Sequence, residues 1–141
     1  MANVIYNSFK GALSSVNWGD NSTTTIKVML VTSDYAPDID THEFISDVTN
    51  EASGTGYTTG GIVLTNRTVT VDDTNDWAKY DADDISWAAS TITARGAVIY
   101  KDTGTDTTSP LIAYIDFVSD KSSTAADFII TWHANGIFTI G

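Results

Sequence analysis

Asp127-Phe128-Ile129-Ile130-Thr131-Trp132-His133-Ala134-Asn135-Gly136-Ile137-Phe138-Thr139-Ile140 reads as two strands, residues 127–133 and 136–140, joined around Asn135-Gly136. Asn-Gly is the strongest short-range hairpin cue, because a two-residue type I′ turn needs positive φ at both central positions. An apolar strand followed at once by Gly141 predicts a terminus tied into a sheet, so the chain is expected to be a complete all-β domain.

Upstream, short apolar stretches alternate with turn clusters. Residues 25–32 form the first clear strand, with Ile26, Val28 and Leu30 alternating against Lys27 and Met29. A strand block at 62–71 follows. Residues 77–87 hold one or two short strands, near 78–80 and 85–87. Residues 91–101 form another, with a parity break at Arg95-Gly96 that predicts a bulge. Residues 111–118 are apolar on both parities, as in a central strand covered on both faces. Residues 119–126 read as a turn and 102–110 as a polar hairpin loop. Phe9 and Leu13 suit a short helix or turn. Asp40 and Glu43 fit a capping box opening a two-turn helix over 41–48. Seven or so short strands without βαβ order predict one all-β domain over 1–141, an antiparallel β-sandwich or jelly roll with one or two short helices. Residues 1–18 are expected to supply an N-terminal arm and short helix.

Charge and composition narrow the function classes. Eighteen acids against seven bases give a net charge of −11. Phosphate binding needs a basic stripe, so nucleic acid is excluded as a partner, and anionic membrane surfaces repel the chain. The acidity keeps the chain soluble, or matches a basic surface on a protein partner. Cysteine is absent, which removes disulfides, thiolate nucleophiles and zinc–thiolate sites. No basic n-region or long apolar run marks a signal peptide, and no apolar stretch is long enough to span a bilayer, so synthesis in the cytosol is expected. Asn21-Ser22-Thr23 and Asn66-Arg67-Thr68 match glycosylation sequons by chance.

No reaction centre emerges. His42, in the first turn of the expected helix, and His133, beside the Asn135-Gly136 turn, both read as solvated and too far apart for a metal pair. No G-x-S-x-G elbow supports a triad. Asp72, Asp73, Asp76, Asp81, Asp83 and Asp84 fall within thirteen residues. Asp81, Asp83 and Asp84 are weak calcium candidates, since the loop glycine and closing Glu of an EF-hand are missing. The same acids would suit a glycosidase pair, or turns and strand edges that block edge-to-edge pairing. Four glycines among residues 53–61 predict a mobile surface loop that orders against a neighbour. Its sequence lacks the Gly-Lys-Ser/Thr ending of a phosphate loop. Trp87 and Trp132 read as core from their alternation with Ile85, and with Phe128 and Ile130. Trp18 and Trp77 flank polar turns, and exposed they would serve a subunit interface or stack on a sugar.

Six segments carry a resemblance over nearly the whole length: Tyr6-Asn7-Ser8-Phe9-Lys10; residues 26–31 leading to Asp34-Tyr35-x-Pro37-Asp38; Ser53-Gly54-Thr55-Gly56-Tyr57; Tyr80-Asp81-Ala82-Asp83-Asp84-Ile85-x-Trp87; Ala97-Val98-Ile99-Tyr100-Lys101-Asp102; and Trp132-x-Ala134-x-Gly136-Ile137. Together they resemble small virion structural proteins of tailed bacteriophages. The resemblance implies assembly without catalysis or cofactors. The implied role is capsid decoration (cement) on the outer lattice, with the major capsid protein or other virion proteins as partners, a homo-oligomer (dimer or trimer), and a location in the virion after synthesis in the host cytoplasm. Tail, neck or baseplate service and a carbohydrate-binding module are the alternatives. Val4, Ile5, Tyr6, Trp18, Tyr57 and Trp77 are the expected interface residues.

Overall fold

Two long strands organise the chain. In the computed structural model, which describes residues 3–141, strand β6 spans Ile85–Lys101 and strand β7 Leu111–Ile130. They pair antiparallel from Tyr100↔Leu111 out to Ile85↔Ile130. The shorter elements are β1 (Val4–Ile5), helix α1 (Asn7–Gly11), β2 (Ile26–Val31), β3 (Ile62–Val63), β4 (Thr68–Asp72), β5 (Trp77–Asp81) and β8 (Phe138–Ile140). A five-stranded sheet runs β1-β7-β6-β2-β3 and a three-stranded sheet β4-β5-β8, with every pairing antiparallel. The all-β sandwich expected from the sequence is the fold observed.

Residues 97–100 and 111–114 of the ribbon are buried on both faces. One face sends Ala97, Ile99, Ile112 and Ala113 into the larger core with Ile26, Val28, Leu30, Trp18 and Phe138. The other sends Val98, Tyr100, Leu111 and Tyr114 into a second core with Tyr6, Met29, Val31, Tyr35 and Ile45. The apolar-on-both-parities reading of 111–118 therefore holds for its first half and fails at Val118, which is exposed, while the bulge expected at Arg95-Gly96 is a register shift between Ala94 and Gly96. A Cβ at Gly96 would collide with the Tyr114 ring.

Several expectations are corrected. The C-terminal strands do not pair with each other. Gly136 N–H donates to His133 O (2.8 Å), so Ala134 and Asn135 are the central turn residues. Gly136 follows at φ 91°, and Asn135 is not among the residues with positive φ. Strand β8 pairs instead with β5, because Phe138 stacks on Tyr80 (4.8 Å between ring centroids) and meets Trp18 and Phe9 edge-on. Residues 119–126, expected as a turn, continue β7. Their hydroxyls serve cross-strand bonds, Thr93–Ser122 and Ser90–Ser123 (both 2.8 Å), and bends with positive φ at Val118 and Ala125 take up the irregularity. The separate strands expected at 85–87 and 91–101 are one strand, β6. The block at 62–71 splits between the two sheets as β3 and β4.

The helix expected over 41–48 is a single 3₁₀ turn, Ile45–Asp47. Asp40 does not cap it, since its carboxylate accepts from Asn7 Nδ2. Asp47 accepts from the Glu43 and Phe44 N–H groups, and Ile45 N–H goes to Ser109 O. The segment is thus closed on itself by one turn and tied to the 102–110 loop through Ser109.

The glycine-rich stretch 53–61 is held close to the sheet rather than free. A Cβ at Gly61 (φ 86°) would sit 1.8 Å from Val28 O, and one at Gly54 2.0 Å from Thr91 O. Glycine is required here so that backbone can approach backbone. Glu51 locks the stretch by accepting from Tyr57 O–H (2.8 Å) and Gly60 N–H (2.6 Å).

Arg67 is a buried cation that sequence reading missed. Nε donates to Trp18 O (2.8 Å), Nη1 to Leu64 O (2.9 Å), and Nη2 to Asp20 O (2.5 Å) and Thr24 O (2.6 Å). Burial lowers its pKa and the Asp20 charge opposes that shift. The guanidinium stays charged. Asn21 adds a two-sided backbone clasp, accepting from Arg67 N–H and donating to Arg67 O.

Two stability changes follow. Gly61→Ala is expected to cost at least about 1–3 kcal/mol from left-handed strain alone, with the collision against Val28 added. A urea midpoint equal to wild type would contradict the packing described. Arg67→Met leaves four carbonyls short of donors and is expected to cost more than about 3 kcal/mol. Arg67→Lys recovers little, because one ammonium cannot span the fork. A loss below about 1 kcal/mol in denaturant unfolding would contradict the role assigned to the fork.

Candidate interaction surface

The structure separates the expected interface residues. Tyr6 is fully buried, its hydroxyl 2.8 Å from that of Tyr35. Burial raises the Tyr6 pKa far above the phenol range and pushes Tyr35 up to about 12. Trp18, expected beside solvent, is 2% exposed. Its indole N–H donates to Asp81 O, and its ring lies edge-on to Tyr80 and Phe138. Both residues are core, Trp18 in the larger cluster and Tyr6 in the second. Val4 and Ile5 are half-buried and pair with Tyr114 and Ala113, so this part of the expected arm is the edge strand of the chain's own five-stranded sheet. Residues 1 and 2 of that arm lie outside the described residues. Tyr57 is half-buried and held on both sides, donating to Glu51 and accepting from Leu30 N–H. Trp132, expected in the core, is half-buried against it.

His42, expected to be solvated in a helix turn, is half-buried. Its ring stacks on Tyr35, and Nδ1 lies 2.9 Å from the Tyr35 hydroxyl. His133 is exposed, as expected. The three calcium candidates are engaged separately. Asp81 accepts from Ala82 N–H, Asp83 from Asn66 Nδ2 and Thr65 Oγ1, and Asp84 from Trp132 N–H. Among the described residues, no three His, Asp or Glu side chains come together to hold a metal ion.

What the fold leaves open is a sheet edge. Strand β4 pairs only with β5, and its other side is free among the described residues. Thr68, Val69, Thr70 and Val71 are all exposed, Val69 by 44% and Val71 by 70%. Val69 and Val71 lie on the face of Tyr80 and Ala78, their cross-strand partners. That is the core-side face of the small sheet, carried past the rim of the core. The acids expected to block edge pairing sit at the strand's end and in the turn beyond it, so Thr68 to Val71 carries no charge. Beside the turn, Thr70, Val71, Asp72, Asp73, Trp77, Lys79 and Asn135 line a cleft of about 370 Å³. A second hollow of similar volume runs along β7 beside Phe117, Lys121 and Ile129.

The turn that ends this edge is built on Asp72. One carboxylate oxygen accepts from the Thr74 and Asn75 N–H groups, and the other from Asn75 Nδ2 and the Trp77 indole N–H (3.0 Å). The side-chain bond from Asn75, then its backbone bond, with lesser help from Trp77 and Thr74, holds the Asp72 pKa below the usual carboxylate value.

Comparison with protein families, with curated proteins and with solved structures finds no match to this chain.

A carboxylate whose pKa is lower folded than unfolded stabilises the fold fully above the unfolded value, about 3.9. That contribution is lost as pH falls through the folded value. Trp77 fluorescence, taken as the difference between wild type and Trp77→Phe, is therefore expected to change only below about pH 4. Asp72→Asn should abolish the transition. A transition unaltered in Asp72→Asn would show that another group governs the turn.

Proposed function

We propose that this chain is a non-enzymatic structural protein of a tailed-bacteriophage virion, a capsid decoration (cement) protein that binds the outer face of the capsid lattice through its β-sheet exterior. The observation that carries this reading is the β4 edge. From Thr68 to Val71 it is uncharged and β-branched, paired on one side only and carrying two exposed valines, in a chain of net charge −11. Left bare, such an edge recruits other strands. In a protein that works by docking, it is where docking area is found. The full-length resemblance to small virion proteins supports the same reading, as does the acidic surface, which suits a basic patch on a major capsid subunit. Stability gained this way comes from many modest contacts repeated over a lattice, and needs no bond-making residue.

A second reading has one observation of its own. Trp77 lies in a cleft with Thr70, Asp72, Lys79 and Asn135, an aromatic ring among hydroxyl, carboxylate and amide groups, as a sugar ring would require. In this reading the chain is a carbohydrate-binding module on a receptor-binding appendage. Trp18, the other residue considered for that role, is in the core.

Quantitative mass spectrometry of particles purified from a phage that encodes this chain is expected to give a copy number in simple proportion to the major capsid protein. A few copies per particle would move the protein to the tail, neck or baseplate, and absence from particles would overturn the virion reading. A glycan array without hits would remove the second reading.

A further inference from the structure

The edges of the two sheets are not equally guarded. Strands β1 and β3 have two residues each and β8 three. On β7, β1 covers Ala113 and Tyr114, and Asn3 Oδ1 accepts from Asp116 N–H. Farther along, β7 carries Asp120, Lys121 and Asp127 and bends at Val118 and Ala125. Shortness, charge and bends are the devices that keep edges from pairing. Strand β4 has five residues and, from Thr68 to Val71, none of these devices.

We infer that β4 pairs with β4 of a second copy of this chain, antiparallel, with the two-fold axis at Thr70. The strand is self-complementary in this register. Thr70 faces the partner's Thr70, Val69 faces the partner's Val71, and Asp72 faces the partner's Thr68. The valines fall on one face and the threonines on the other. Cross-strand β-branched and Thr–Thr pairs are favourable, and no like charges stand opposite. Together with the register inside each copy, the pairing makes one apolar row, Tyr80, Val69, the partner's Val71 and the partner's Ala78. Centring the axis elsewhere fails. About Val69 it would call on Arg67, whose backbone N–H and C=O are already taken by Asn21. About Val71 it would run into the turn at Asp73. The net charge of −11 does not forbid contact, since the three central pairs are neutral, each Asp72 meets a threonine and not another acid, and more distant acids are screened beyond about 10 Å. A closed two-fold interface of this kind adds strands without leaving a new open edge, and joins the two small sheets into one of six strands.

The inference goes beyond the virion reading, in which the joined sheet and not a bare edge would then meet the lattice, and it holds or fails for the purified chain with no particle present. Sedimentation velocity at rising concentration is expected to show the mass moving from one chain toward two. Val71→Lys, a change at an exposed position, is expected to stay at one chain with an unaltered circular dichroism spectrum. Because the chain has no cysteine, single-cysteine variants report the register. Thr70→Cys is expected to cross-link under mild oxidant at least about tenfold faster than Thr68→Cys, since only position 70 meets itself at disulfide distance. A wild type that remains one chain at about 1 mM overturns the pairing and gives the edge to a foreign strand. Dimerisation unaltered by Val71→Lys, or equal cross-linking at positions 68 and 70, overturns it too.

Discussion

The Arg67 guanidinium decides where the second sheet sits. Its fork satisfies carbonyls of Trp18, Asp20, Leu64 and Thr24 at once. One side chain therefore binds the loop before β2 to the crossover between β3 and β4. A buried cation would be costly without these acceptors. With them, it fixes the point at which the chain leaves the five-stranded sheet for the three-stranded one. Trp18, held by the same fork through its carbonyl, is then the wedge on which Tyr80 and Phe138 pack. Strand β5 takes its place from that aromatic group, and β4 from β5.

This arrangement gives the small sheet an overhang. Its central and C-terminal strands, β5 and β8, cover the larger core, while β4 reaches past it and exposes two valines on the core-side face. The chain's acids lie mostly in turns, where Asp20, Asp38 and Asp72 each accept backbone N–H groups two and three residues on. Much of the negative charge is therefore spent on local turn geometry and does not guard the edge. The same chemistry explains the two apparent sequons. Asn21 clasps the Arg67 backbone and Asn66 bonds Asp83, so both amides serve the fold.

Fold class, strand chemistry and the central position of residues 111–118 were legible because burial on a sheet leaves a direct trace in apolar parity. The bulge at Arg95-Gly96 was legible for the same reason. Other features were not. Polar residues at 119–126 looked like a turn because an exposed ribbon and a loop share a composition. The Asn135-Gly136 turn was sensed, but not that Phe138 would leave β7 for Tyr80, since partner choice rests on ring packing at long range. The Asp40/Glu43 pattern matched a helix cap, yet the carboxylates went to Asn7 and to solvent while Asp47 took the backbone. Of the interface candidates, Tyr6 and Trp18 are buried and Trp77 is half-buried, because a large ring beside a polar turn reads alike whether it points in or out. The valines of β4 gave no sign of exposure, as alternation with threonine is also what a half-buried strand shows.

The pairing of Tyr80 with Phe138 also constrains the order in which the molecule can assemble itself. The entire β6–β7 ribbon lies between these two residues in sequence, so β8 cannot reach β5 until that ribbon has folded back and brought the chain home. Closing so long a loop is slow compared with zipping a hairpin. The β4–β5 hairpin must wait, meanwhile, with only local pairing to hold it. The β6–β7 ribbon is thus expected to form before the small sheet closes, and the strand with the barest edge belongs to a part that matures after it.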